Sequence, residues 1–156
     1  MTEMSRIVRT VTSIMFPFTM IYGLYVIAHG HLTPGGGFQG GAVVASALAM
    51  LIVAFGSIWT FGKIKEKRLS VLESIGALCF ILLALLGFGT AFFNNFLVGN
   101  DFLFGVIPLT GPAVADINTG GVLPLMNFAV GLKVIAGLFV IVLVLAYASS
   151  VKEGKQ

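Results

Sequence analysis

Uncharged apolar runs alternate with short polar stretches along this chain, and the length of each run decides what it forms. Thr10 to Ala28 contains no charged residue, and neither does Phe38 to Gly62. Ser74 to Asn100 is also uncharged and is dense in Leu, Phe and Ala up to about Phe93; the last run, about Leu125 to Ser149, carries one charge, Lys133. A helix needs about 20 apolar residues to cross the hydrocarbon of a bilayer. The pattern therefore predicts an all-α integral membrane protein with four transmembrane helices, over about 7–29, 38–61, 70–93 and 125–149. They form a single membrane domain over 1–156, with an outer loop over about 94–124. The first run follows Arg6 and Arg9 and is not followed by a small-residue cleavage site, so it reads as a retained helix and not as a signal peptide. Pro17 within it predicts a kink.

Composition agrees. Of 156 residues, 58% are hydrophobic and 10% charged, against roughly 25% charged in soluble chains. The basic residues then set the orientation. Arg6 and Arg9 precede the first helix, Lys63, Lys65, Lys67 and Arg68 fill the second loop, and Lys152 and Lys155 lie in the tail, which accounts for all but one of the 9 Lys and Arg. Positive charge favours the cytoplasmic side, so both termini and the middle loop are expected inside, an arrangement that itself requires an even number of spans. The net charge of +3 thus reports topology and gives no reason to expect nucleic acid as a partner. The lone Cys79, inside the third run, has no partner for an intrachain disulfide and reads as a small core residue.

Between the first two runs lies HGHLTPGGGFQGG, His29 to Gly41. Gly35 to Gly40 spells G-x-G-x-x-G, the dinucleotide fingerprint. That site needs a strand before the glycines and an acid about 20 residues on for the ribose. Here a membrane helix precedes them, and no Asp or Glu appears between Glu3 and Glu66; a nucleotide is not expected. Two uses of Pro34-Gly35-Gly36-Gly37 remain open. Irregular backbone at membrane depth survives only where protein or water covers it, so the loop can be a broken-helix entrance whose amides and carbonyls face an ion or water path. Alternatively, it is a tight turn that lets two helices pack closely.

GHLTPGGGFQGG resembles the signature of the MnhB family, the B subunit of Mrp-type multisubunit sodium/proton antiporters, a subunit type that recurs in archaeal membrane-bound hydrogenases and related sulfur-reducing complexes. The similarity extends to the four-helix plan and to NFAVGLKVIAGL in the last helix. It implies a multi-pass subunit of the cell membrane whose partners are other membrane subunits of an antiporter or respiratory complex, the lipid bilayer, sodium ions and protons. By the family pattern the positions that matter are His31, Pro34 and Phe38, with Gly35, Gly36, Gly37, Gly40 and Gly41 around them. Asn127 and Lys133 depart from the aliphatic last helix of many antiporter B subunits and look more like the hydrogenase-associated branch.

The remaining polar residues bear on mechanism. His31 titrates near neutral pH and is a candidate to pass protons or order water; the alternative is an interfacial histidine bonded to a loop carbonyl. His29 and His31 without cysteine or a nearby carboxylate fall short of a metal site, which usually needs three protein ligands. Lys133 is the one charge inside a predicted span, and an intramembrane ionisable residue is a functional candidate by default; its alternative is snorkelling to the outer interface. Small neighbours Ala129, Ala136 and Gly137 mark its face as packed against another helix. Glu73 is expected at the opposite, cytoplasmic end, so a counter-ion for Lys133 would come from another subunit. Gly41, Ala45 and Ala49, and Ala84, Gly87 and Ala91, form further small-residue stripes. The outer loop holds Asp101 and Asp116, acids suited to attracting cations, and is apolar enough to pack on a neighbour. No nucleophile with a base, thiol pair or ligand cluster is visible, so neither catalysis nor a cofactor is expected in this chain. Three functions fit: a subunit of a cation/proton antiport module, free-standing or coupled to a redox complex; a self-sufficient small transporter or channel; or a structural spacer. The second would place an acid deep in a span, where the sequence shows none.

Overall fold

The computed structural model describes residues 4–87, 91–100, 103–109, 111 and 116–153; Asp101 and Lys155 lie outside them. The described chain is helical: α1 (Arg6–Ala28), α2 (Gly36–Phe55), α3 (Ser57–Lys63), α4 (Glu66–Leu86) and α5 (Leu123–Glu153). Four of these, all but α3, are long and apolar enough to cross a membrane. Neighbours run in the order α1, α2, α5, α4, with α3 tucked against α5. The chain is a multi-pass membrane protein.

Polar residues within the spans are satisfied locally, as a lipid surrounding demands. In α1, Thr10 Oγ1 donates to the Arg6 carbonyl at 2.9 Å, Ser13 Oγ to Arg9 at 2.8 Å and Thr19 Oγ1 to Met15 at 3.0 Å. Ser5 caps the same helix, accepting from the Val8 amide. α1 continues through Pro17 as one helix.

The second predicted span, about 38–61, is two helices. Gly56 stands at φ 87° and ψ 153°, a region open essentially to glycine alone, and the chain turns there into α3. The break is held from both sides: Thr60 Oγ1 donates to the Gly56 carbonyl at 2.9 Å, and the buried Ser57 and Ser150 hydroxyls share a 2.6 Å hydrogen bond. Phe61 stacks on Tyr147 at 4.2 Å. These contacts pin α3 to the far end of α5, beside a core of Ala45, Ile52, Leu69, Phe139 and Leu143.

The third span begins at Glu66 and ends at Leu86, not over about 70–93. Its charged first turn, Glu66 to Arg68, is helical, because water at the membrane edge solvates those side chains without cost to the helix. As a result Glu73 is seven residues inside α4, about 10 Å from its start. The expectation that Glu73 sits at the helix end is therefore corrected.

Candidate functional site

The glycine run serves helix contact. Gly37, Gly40 and Gly41 all occupy the first turns of α2, yet they face two different helices. A Cβ on Gly37 would collide with the Asn127 carbonyl oxygen and come within 3.0 Å of the Gly131 amide, both on α5. One on Gly41 would lie 3.0 Å from the Gly131 carbonyl and 2.9 Å from Val134 Cβ. Gly40 faces α1, where its Cβ would meet Ile27 at 2.6 Å and the Gly23 carbonyl at 2.7 Å. Gly23 reciprocates against Gly40 and Val44; sequence reasoning missed it, although Thr19 four residues before it gave a weak small-residue signal on the same face. The triple contact lets backbones approach where larger side chains would hold them apart. Gly35 and Gly36, both at positive φ, bring the chain from the loop into α2.

The loop ahead of α2 splits its histidines. His29 turns back on α1, its ring 4.0 Å from that of Tyr25 and its Nδ1 3.3 Å from the Tyr25 carbonyl. His31 points inward, under the segment that precedes α5. Gly120 is so close that a Cβ there would lie 3.1 Å from His31 Cδ2, and Phe104 meets the ring edge-on at 6.4 Å between centroids. Both ring nitrogens are shielded from solvent and neither has a hydrogen-bond partner. Burial lowers the pKa of His31 from 6.5, and the nearby His29 adds to this; backbone carbonyls of Ile117, Ala28 and Asp116 face the ring and oppose it.

What covers His31 is the described part of the 94–122 segment, tied up by its own asparagines. Asn95 Nδ2 donates to the Gly120 carbonyl at 3.0 Å, and Asn95 Oδ1 accepts from the Val122 amide at 2.8 Å. Asn118 Oδ1 accepts from the Phe104 amide at 2.6 Å, and Thr119 Oγ1 donates to the Asp116 carbonyl at 2.7 Å. The loop was expected to pack on a neighbour; part of it packs on this chain's own histidine. No local sequence signal reveals this, since Asn95 and Gly120 lie 25 residues apart. Asn127, in the first turns of α5, stands at the same place, its amide 2.8 Å from where a Gly30 Cβ would be and 3.2 Å from one on Gly36.

The site residues singled out in the sequence thus separate. His31 and Asp116 come together, the latter through its backbone. Pro34 and Phe38 are exposed, Phe38 at 61%. Lys133 is elsewhere, six residues beyond Asn127 along α5, on the side that faces α4; its side chain is exposed in the isolated chain. Among the described residues no three His, Cys, Asp or Glu side chains converge as metal ligands would.

A chain in the structure of the membrane-bound sulfane sulfur reductase, an archaeal respiratory membrane complex, superposes with a TM-score of 0.72 at 30% identity, covering 93% of this chain and 59% of that one. An uncharacterized protein of Methanocaldococcus jannaschii is 40% identical over 133 residues, 79% of this chain and 46% of that protein. A Staphylococcus haemolyticus protein named as antiporter subunit mnhB2 is 42% identical over 55 residues, 35% of this chain and 39% of its own length. The chain therefore spans between about two fifths and three fifths of these relatives. The family model described as a domain related to the MnhB subunit of Na+/H+ antiporters matches residues 7–140, the glycine motif, the partly buried histidine and most of α5 included, and the chain belongs to that family.

Proposed function

We propose that the chain is a non-catalytic membrane subunit of an Mrp-type cation/proton antiport module, contributing to sodium/proton translocation and coupled to a membrane-bound redox complex. The observation that carries this reading is the state of His31: a partly buried imidazole whose two nitrogens are shielded from solvent, face backbone carbonyls and make no well-formed hydrogen bond. Leaving such groups without a partner is costly, so the pocket is suited to a water or a proton in transit. With its pKa lowered by burial, the ring is neutral near pH 7 and able to accept a proton and pass it on. Asp116 stands beside it, and Pro34 and Phe38 offer exposed surface at the same end for a neighbouring subunit. By the distribution of Lys and Arg, this end is external and both termini are cytoplasmic. The similarity to a chain of a sulfur-reducing respiratory complex supports the coupling to redox chemistry.

The contacts of Gly37, Gly40 and Gly41 favour a second reading, a structural spacer whose motif only locks helices together. His31→Ala separates the two. On the first reading the assembled complex loses cation/proton exchange; unchanged exchange from about pH 6 to about pH 9, the range around the imidazole value of roughly 6.5, returns His31 to a structural role.

A further inference from the structure

Among the described residues, Glu73 and Lys133 are the charged side chains that lie more than one turn from the ends of the long helices. They meet on one seam. Gly76 is the midpoint of α4, ten residues from either end, and a Cβ there would come 2.8 Å from the Lys133 amide nitrogen and 3.0 Å from its Cβ. One turn along α5, a Cβ on Gly137 would come 3.4 Å from Glu73 Cδ and Oε1. The two helices are antiparallel, so these are successive rungs: Lys133 on Gly76, then Glu73 on Gly137. Glycine at both positions lets each charged stem lie against the opposite helix. Lys133 therefore starts from the middle of α4 and not from the outer interface, about 15 Å into α5.

A lysine at that depth is costly if left facing lipid. Glu73 is half-buried and Lys133 exposed in the isolated chain, and α4 packs chiefly on α5. The other titratable groups of these helices lie elsewhere. Glu66, Lys67 and Arg68 fill the first turn of α4, Cys79 is exposed toward the other end, Tyr147 stacks on Phe61, and Lys152 is in the last turn of α5.

The geometry points to Glu73 as a proton-binding carboxylate within the membrane, with Lys133 as its counter-charge across the α4–α5 seam. The step is a single proton: water reaching the seam supplies it, an O–H bond forms on the carboxylate, and the same bond breaks on release, with no electron transferred. This deepens the proposed role in charge movement and rests on it.

The test treats the native complex in its membrane with a hydrophobic carbodiimide, which reacts with protonated carboxyls in apolar surroundings, and maps the adduct by mass spectrometry. Glu73 is expected to be modified in the native complex, and more so in the Lys133→Met complex. Glu73→Gln is expected to assemble and to lower cation/proton exchange about a hundredfold, the lower end of what a positioned proton carrier contributes. An unmodified Glu73, modification indifferent to Lys133, or wild-type exchange in Glu73→Gln overturns the inference. Should Glu73→Gln fail to assemble, labelling of the wild-type complex decides. A complex that exchanges no cations removes the proposed function, while the labelling still judges the carboxylate.

Discussion

The His31 pocket and the Glu73–Lys133 seam are both polar features of an apolar bundle, and they are finished differently. His31 is enclosed by its own chain: Gly120 and Phe104 lie against it, and Asn95 and Asn118 hold that cover in place. The seam is open on the flank of α4, with Lys133 exposed at mid-span. On the proposed function, a charge left uncovered at membrane depth is covered by another subunit. The contrast, on that reading, is between a site that folds with the chain and one that is completed by assembly.

The sharpest way to break this comparison is Lys133→Met, measured in the complex and in the isolated chain. On the inference that assembly covers Lys133 as the counter-charge of Glu73, removing it costs about 3–5 kcal/mol, so the complex is expected to lose thermal stability and the isolated chain in detergent to change little. Equal, small effects in both would place Lys133 in water at an interface. Next in size is Gly37→Ala. Its Cβ collides with the Asn127 carbonyl, backbone that cannot swing away, and overpacking of this kind costs about 1–3 kcal/mol. Gly62→Ala, with nothing within 4 Å of the new Cβ, is the control and is expected to be neutral or slightly stabilising. Wild-type yield and melting of Gly37→Ala would undo the packing role given to the motif.

A smaller effect sharpens the enclosed side. Because burial lowers the pKa of His31, the unfolded chain binds a proton near pH 6.5 that the folded chain resists. This histidine's contribution is therefore complete above that value and is lost as the pH falls below it. Melting the wild-type protein and His31→Gln at about pH 5 and about pH 8 is expected to show a steeper acid loss in the wild type; parallel losses would mean that the ring is solvated. The smallest expected effect is that of Phe38→Ala. It should leave the isolated chain within about 0.5 kcal/mol of wild type, as exposed substitutions do, yet reduce the yield of complex if Phe38 meets a neighbour.

Much of this was legible in the sequence, for physical reasons. Span number follows from run length, and the stripes at Gly41 and Ala45 or Ala129 and Ala136 do become buried helix contacts. The break at Gly56 was hidden because Phe55-Gly56-Ser57 is as apolar as its surroundings, and hydropathy does not register backbone angle. Glu73 falls in the first turn of a span drawn from about residue 70, whereas α4 starts four residues earlier, at Glu66. The enclosure of His31 depends on a pairing 25 residues apart in the loop, which no local pattern encodes.

The central claim, that this chain acts as one subunit of a larger membrane assembly, is tested most directly by extracting a tagged chain from its native membrane in mild detergent and weighing it by native mass spectrometry. The account predicts a stable complex containing other membrane subunits, redox subunits among them. A chain that emerges alone and, once reconstituted alone, exchanges cations for protons would contradict it.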